Sequence, residues 1–415
     1  MRILIVNYRY FISGGPEKYM FNIKKIFEKY GHEVIPFSIH SNKNVKTEYS
    51  KYFVEPIGGR DATYYDEYKK TPKTIWKMIT RSVYSLEVKK AIQKEIRDVK
   101  PDIVYIIHFV NKLSPSVIRG AKQMGVPVVL RLSDYFLLCP RFDFLSKTEI
   151  CEECLKKGYW SCIKKRCVKA SFFASAIRVL SMKIHKWMNI YKDVDAFITP
   201  SEYLKEKLAE NGFDAEKIYC IPTFTLSKTQ TDEAIIGDYG LYFGRITVEK
   251  GVDTIVRAYE KLPDHQVKIM GDDTTEEAVR LKNYVREHKI SNIEFIGFKS
   301  GEELERMIKK ARFVLIPSIW YDNLPNTSLE AFQYGKPVIA SDIGSLRELV
   351  IDGYNGFLSV PSNIEGLIEK IKLFDQDEIV RNMGTNSREI LEKRFSAEKH
   401  YSTLINLFEE LLYKE

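Results

Sequence analysis

The chain has 415 residues, 44% of them apolar, and a formal net charge of +8 at pH 7. That apolar share excludes wholesale disorder, and the length is more than one hydrophobic core organises, so two domains of about 200 residues are expected. No window holds the roughly 20 uninterrupted apolar residues of a spanning helix, and the positive balance allows attraction to nucleic acid, anionic lipid or phosphorylated small molecules without choosing among them.

The amino end, MRILIVNYRYF, has neither a leader-type apolar core nor a cleavage site. It reads as a first strand over residues 3–7, and a cytoplasmic protein is the expectation. A glycine turn at Gly14 and Gly15 follows, and a helix runs from Pro16 to Gly31, residues typical of helix starts and stops. HEVIPFSI is the next strand. Residues 41–80 are polar and aromatic without a clean period and are expected to form loops and short helices. A helix over 83–98 leads into the buried strand PDIVYII, and SPSVIRGAKQMG leads into PVVLRLS. Such alternation predicts a doubly wound α/β domain.

The alternation pauses between 139 and 192, then resumes with VDAFITPSEYLKEKLAENGF and the strand KIYCIP. The first domain is thus read as 1–222, with a Cys-rich basic insertion around 139–192. Residues 223–238 have little periodicity and few large apolar groups and are read as the linker. A second α/β domain covers 239–390, through YGLYFGRI, HQVKIMG, NIEFIGF and the run at 317–358. Its strands are short, apolar and evenly spaced, as a sheet covered on both faces requires. Residues 391–415 close the chain with an amphipathic helix expected to pack back across the domains.

The run at 317–358 concentrates polar groups after two apolar strands, at the edge where an open parallel sheet holds its ligand. Asp322 and Glu330 stand eight residues apart, with Pro325 between them and a helix beginning near Asn326 or Thr327. Paired carboxylates can hydrogen-bond adjacent hydroxyls of a sugar or ribose; helix caps or surface acids are the plainer reading. Asn323, Asn326 and Thr327 look like loop and cap residues that leave helix amides free for an anion. The glycine turns at Gly14–Gly15 and Gly244 each follow a domain's first strand. Neither is the three-glycine dinucleotide fingerprint, yet either can bring backbone donors to a phosphate, or can be a tight turn without ligand. Arg245 and Lys250 flank the polar loop after Gly244. A guanidinium clamps phosphate at two points and an ammonium supplies a mobile charge, which suits a diphosphate leaving group. Solvated surface cations are the alternative.

His108 lies just beyond PDIVYII, where a general base or a local hydrogen-bonding group would sit. Asp134 ends the next strand at an equivalent position, with Arg131 beside it, and both are read as acceptor-side residues. Five of the six cysteines fall between Cys139 and Cys167. Cys151, Cys154, Cys162 and Cys167 could supply four thiolates to a structural zinc, or remain reduced thiols, since a cytosolic setting disfavours disulfides. Residues 163–192 hold eight Lys or Arg and no acid, with Phe172, Phe173, Ile177, Leu180, Ile184 and Trp187 at helical spacing. Such a helix can lie on an anionic membrane or cover a sheet edge with a solvated basic face. Nucleic acid is not expected as a partner, because the charge is local and no binding motif accompanies it.

The run at 317–358, taken with GRITVEKG, resembles the retaining GT-B glycosyltransferases of family 4. GGPEKY, PDIVYII, LSPSVIRGAKQMGVPVVL and the DYFLLCP run resemble its surface-polysaccharide members, so the likeness covers nearly the whole chain. It implies two Rossmann-like domains facing a central cleft. It also implies retaining transfer of a sugar from a UDP- or GDP-sugar to a hydroxyl of a lipid-linked glycan, with no cofactor required. By this resemblance Gly15 lies against the donor diphosphate, Arg245 and Lys250 neutralise it, and Glu330 contacts the ribose. Gly244, the backbone of Asn323, Leu324 and Pro325, and Asn326 complete the donor pocket. Asp322 stands where relatives carry the first glutamate of E-x7-E, which touches the transferred sugar; it is one methylene shorter, so the sugar's position or identity is expected to differ. Where relatives read H-x-H-N and L-H-D-Y, this chain reads YIIHFVN and LSDY. Tyr105 and Ile107 replace two histidines, His108 is displaced by one position, and Ser133 replaces the third. Those losses would suit a non-catalytic nucleotide-sugar-binding protein or inactive partner subunit, whereas Arg245, Lys250 and Glu330 argue for an enzyme.

Overall fold

The computed structural model describes residues 1–60, 67–69, 71–226 and 235–413. Each domain is built on a sheet of six parallel strands. In the first, β1 (Arg2–Asn7), β2 (Glu33–Phe37), β3 (Ile103–His108) and β4 (Val128–Arg131) precede a separate hairpin of β5 (Leu145–Ser146) and β6 (Glu149–Ile150). β7 (Ala196–Thr199) and β8 (Ile218–Cys220) complete it in the order β2-β1-β3-β4-β7-β8. The second sheet contains β9 (Tyr239–Phe243), β10 (Gln266–Met270), β11 (Ile293–Gly297), β12 (Phe313–Ile316), β13 (Val338–Ser341) and β14 (Gly356–Ser359), in the order β11-β10-β9-β12-β13-β14.

Strand composition explains this architecture. In β1, Ile3, Leu4, Ile5 and Val6 are at most 1% exposed, so the strand reads as an unbroken apolar run. Alternate residues serve opposite faces: Leu4, Val6, Val104 and Ile106 join one core, while Ile3, Ile5, Ile103 and Tyr105 join the other. The second sheet divides in the same way, with Leu241, Val314 and Val338 on one side and Tyr242, Leu315 and Ile339 on the other. Strand order reverses between β1 and β3, and again between β9 and β12. Helices leave toward opposite faces at such a point and open a crevice beyond the strand ends. At the β1–β3 crevice the pairing register shifts after Val6, so that Asn7 pairs with His108, a bulge that re-aims the strand ends.

Residues 227–234 of the linker expectation lie outside the described residues, as do 61–66 and 70 of the stretch read as loops. The helix expected over 83–98 runs over Leu86–Val99, and a further helix, Pro72–Val83, begins within the stretch read as loops and short helices. Tyr84 is extended between them, and Ser85 Oγ accepts the Val88 amide at 3.4 Å to start Leu86–Val99. The insertion around 139–192 is largely helical, over Glu153–Lys157, Trp160–Lys165 and Phe172–Trp187.

Helix Asp377–Phe395 packs on helix Asn326–Gln333 of the second domain, and Ala397–Tyr413 then packs on helix Gly15–Lys29 of the first. The crossing is tied by the Thr225 amide donating to Phe395 O at 3.1 Å. Phe408 is fully buried against Tyr105 and Phe27. Beside it a polar strut runs through the apolar layer. His400 Nδ1 donates to Pro222 O at 2.7 Å, and Nε2 accepts from Tyr19 Oη at 2.9 Å. Burial, then the charge of Arg131, push the His400 pKa down to about 3. Because the folded value lies below the ordinary one, the neutral ring stabilises the fold fully above pH 6.5 and progressively less as pH falls toward 3. Between pH 6 and 4, His400 therefore contributes a slope of about 1.4 kcal/mol per pH unit to the unfolding free energy. His400→Gln is expected to flatten the measured slope by that amount in urea titrations, and an unchanged slope would contradict this strut.

Candidate active site

The second domain supplies one wall. Beyond β9 the chain turns at Gly244, whose φ of +153° favours glycine and whose amide donates to Met270 O at 3.0 Å. A 3-10 turn over Val248–Lys250 ends at Gly251, where φ is +67° and an added Cβ would lie 2.0 Å from Pro317 O. Only glycine lets this loop press against the end of β12, and the contact is reinforced by the Ile319 amide donating to Glu249 O at 3.0 Å. The approach delivers Lys250 to Asp322. The Lys250 ammonium lies 2.7 and 2.8 Å from the two carboxylate oxygens, and Ser318 Oγ donates to Oδ2 at 2.6 Å. Asp322 is 5% exposed. Arg245, by contrast, is largely open to solvent, with Glu249 3.5 Å away.

The run from Asp322 into helix Asn326–Gln333 is held in a strained form. Leu324 has φ of +57°, and its amide donates to Ser345 Oγ at 3.0 Å, while that hydroxyl donates to Asp322 O at 2.6 Å. Pro325 precedes the helix without a side-chain cap, and of the first-turn amides that of Ser328 donates to Pro325 O at 3.2 Å. Thr327 Oγ1 reaches Phe243 O at 3.5 Å, so this helix end stands over the end of β9. Glu330, one turn along, pairs with Lys18 of the first domain at 2.8 Å. Gly15, Lys18, Asn326 and Glu330 line a cavity of about 380 Å³ between the domains. A Cβ placed on Gly15 would lie 3.8 Å from Asn326 Nδ2, so the two expected donor-side positions do meet across the cleft.

On the facing wall His108 ends β3 and lies 4.0 Å from Asp134 Oδ2. Burial, then Arg9, push His108 down to about 4, and its Nδ1 is buried with no hydrogen-bond partner. Burial pushes Asp134 up to about 6, opposed by the Phe136 amide bonded to Oδ1 at 2.9 Å. At neutral pH the pair is an uncharged imidazole beside a carboxylate. Arg131 is not at this wall, which corrects the expectation that it accompanies Asp134. It points through the opposite face of the sheet, 4% exposed, with its guanidinium 4.0 Å over the Tyr19 ring and Nη1 donating to Ile221 O at 3.1 Å. Successive strand residues alternate faces, so Arg131 shares Tyr105's side.

The loops of the two walls interlock. Asn323 Nδ2 reaches Leu132 O at 3.5 Å, and its Oδ1 accepts from Ser201 Oγ at 3.4 Å. Tyr321 lies among first-domain rings, 5.0 Å from Tyr203 and 6.0 Å from Phe144. Glu348 accepts the amides of Glu202 and Tyr203 at 2.8 and 2.7 Å. Lys18, Tyr321, Gly251, Ser318 and Glu348 were not singled out by the sequence reading. All five nevertheless fall within runs quoted above: Lys18 in GGPEKY, Gly251 at the end of GRITVEKG, and Ser318, Tyr321 and Glu348 within 317–358. The cysteines are all free thiols. Among the described residues no three His, Cys, Asp or Glu side chains are arranged to hold a metal ion, so the Cys151, Cys154, Cys162 and Cys167 spacing is not gathered into a zinc site. Instead Lys165 Nζ lies 3.5 Å from Cys151 Sγ, and Cys162 hydrogen-bonds Cys167, favouring the Cys167 thiolate.

Two Rossmann-like domains facing one cleft, with cations, a helix end and carboxylates at the switch points, define the GT-B class of sugar transferases. The chain belongs to Glycosyltransferase Family 4, whose model matches residues 13–225, and residues 235–390 match Glycosyl transferases group 1. It is 33% identical over 230 residues to an uncharacterized glycosyltransferase of Methanocaldococcus jannaschii, covering 52% of this chain and 60% of that protein. It is 27% identical over 365 residues to an uncharacterized 42.6 kDa protein in the cps region of Klebsiella pneumoniae, covering 84% and 87% of the two chains. Among solved structures, the sucrose-phosphate synthase of Thermosynechococcus elongatus superposes with a TM-score of 0.70 at 18% identity over 100% of both chains. Anabaena HepE, solved with UDP and glucose, superposes with a TM-score of 0.63 at 16% identity over 99% of both.

The Lys250–Asp322 pair is buried enough that breaking it leaves an uncompensated charge. Asp322→Asn and Lys250→Met are each expected to lower unfolding free energy by about 3 kcal/mol, and the double variant by much less than their sum. Additive losses in a denaturation cycle would show that the two do not act as a pair.

Proposed function

We propose that the protein transfers a sugar from a nucleotide-sugar donor to a hydroxyl of a lipid-linked glycan, with retention at the anomeric carbon, at the inner face of a membrane. The observation that carries this reading is the convergence of Gly15, Asn326 and Glu330 on one interdomain cavity. The nucleoside occupies the cavity, with Glu330 exchanging its Lys18 contact for the ribose hydroxyls. The diphosphate lies across the uncapped start of helix Asn326–Gln333, where backbone amides and the positive helix end stabilise it.

As the bond from the anomeric carbon to the diphosphate breaks, negative charge grows on the leaving phosphate, and Arg245 and Lys250 stabilise that charge. The acceptor oxygen bonds to the same sugar face, and its proton passes to the departing phosphate oxygen. Asp322 holds Lys250 toward the diphosphate and presents its remaining lone pairs to the sugar. His108, held neutral and with a depressed pKa, is a weak base; its role is to orient the acceptor hydroxyl together with Asp134. The interlocked loops exclude water from the donor. The Klebsiella relative in a cps region and the similarity to HepE solved with UDP-glucose support a nucleotide-sugar donor and a polysaccharide setting.

A panel of UDP- and GDP-sugars incubated with the protein and a membrane-derived lipid acceptor is expected to yield transfer from at least one donor. Binding without turnover across the panel would favour a non-catalytic binding protein; neither binding nor turnover would sink the proposal. Arg245→Ala or Lys250→Ala is expected to lower kcat/KM by about 100-fold or more, with His108→Ala costing about tenfold or less. Equal losses in all three would overturn the division of roles.

A further inference from the structure

Helix Phe172–Trp187 is turned inside out relative to an ordinary surface helix. Its buried side carries Ser175, Arg178, Ser181 and His185 along with Val179 and Met182. The polar groups bond inward: Arg178 Nη2 donates to Phe136 O at 3.0 Å while its Nε is buried without a partner, His185 Nε2 donates to Val83 O at 2.7 Å, and Ser181 Oγ lies 3.2 Å from Ser82 Oγ. The outer side is apolar. Phe173 is 77% exposed, Leu180 55% and Trp187 82%, with Phe172 and Ile177 also open. Phe173, Ile177, Leu180 and Trp187 recur at i, i+4, i+7 and i+14, one continuous stripe. The neighbouring helix Pro72–Val83 adds exposed Ile75 and Trp76. Of the two readings left open by the sequence, a solvated basic face is therefore not what this helix presents.

We propose that this stripe is a docking surface for an anionic phospholipid bilayer. Exposed Lys183 and Lys186 border the stripe, and Lys164, Lys165, Arg166 and Lys169 precede it, while residues 163–192 contain no glutamate and one residue later comes the first acid, Asp193. Aromatic and aliphatic side chains flanked by lysine match the boundary between acyl chains and charged headgroups. The same charge pattern disfavours a second copy as the occupant, because two such faces would bring like charges together. The helix is hydrogen-bonded through Arg178 to Phe136, two residues beyond Asp134. Docking would thus set the acceptor-side wall beside the bilayer; that link to an acceptor rests on the proposed function, whereas membrane binding itself does not.

The test is co-sedimentation with vesicles of pure phosphatidylcholine or of phosphatidylcholine with about a third phosphatidylglycerol, with tryptophan emission recorded alongside. The protein is expected to bind the anionic vesicles with a blue shift that Trp187→Phe reduces, and to release at high salt. Phe173→Ser/Leu180→Ser and Lys183→Glu/Lys186→Glu are each expected to weaken binding by about tenfold or more. None of these residues lies in the catalytic or donor machinery, so nucleotide-sugar binding and turnover of a detergent-soluble acceptor are expected to stay unchanged, which also reports that the variants fold. Absence of binding to anionic vesicles, or binding unaffected by both double variants, overturns the proposal. So does a dimer in solution that Phe173→Ser/Leu180→Ser dissociates while vesicle binding is absent. Vesicle binding that persists without any sugar transfer would refute the proposed function and leave the docking surface standing.

Discussion

A parallel sheet covered by helices on both faces leaves polar chemistry only one outlet, the edge where its strands end. Here two such sheets turn those edges toward each other, and nearly every feature of the site follows from that constraint. Ile3 to Val6 and Val338 to Ala340 are fully or almost fully buried, so polar side chains can gather only beyond them. The reversal of strand order at β1–β3 and β9–β12 opens a crevice in each edge, and the cavity between Gly15 and Glu330 lies where the two crevices meet.

The contacts that close the domains are made by the loops that carry the site. Tyr321, Asp322 and Asn323 are consecutive. The first enters the aromatic core of the facing domain, the second binds Lys250, and the third bridges to Leu132 and Ser201. Glu348 and the Lys18–Glu330 pair add charged contacts across the same cleft. A separation of the domains would therefore disturb the Asp322 loop directly, so domain closure and the geometry of the Lys250–Asp322 pair are coupled by chain connectivity. The closing helix limits such movement from the far side, since the chain recrosses at Ser396 and buries Phe408 against the first sheet.

Electrostatics separate the two walls. On the second-domain wall, charge is matched: Lys250 with Asp322 and Arg245 with Glu249. On the opposite side, burial opposes charge on both members of the His108–Asp134 couple. The first-domain wall therefore presents a neutral imidazole beside a carboxylate, whereas the second-domain wall presents cations paired with acids. The outer helix of the insertion adds a third environment, with its polar residues turned inward and its apolar stripe outward.

Much of this was legible in the chain because its signals are local. Continuous apolar runs with glycine turns marked the parallel strands, and the β-loop-α-β-loop-α run at 317–358 announced a loaded sheet edge around Asp322 and Glu330. The helix Pro72–Val83 was less legible, because the stretch around it carries no clean apolar period, and its separation from Leu86–Val99 depends on one extended residue, Tyr84, and a serine cap. Arg131 was misplaced because adjacency to Asp134 in sequence says nothing about which face of a strand a side chain takes; the pleat sends it to Tyr19. The thiol spacing suggested a ligand set, but convergence of four sulfurs depends on how two short helices and their flanking turns pack. By itself the sequence determined the fold class, the family and the residue types at the donor edge, since these follow from local periodicity, turns and short motifs. Only the tertiary structure decided that Lys18 meets Glu330, that Asp322 is committed to Lys250, and that the apolar face of helix Phe172–Trp187 points outward. Those outcomes depend on which elements share a surface, and packing between segments far apart in the chain sets that.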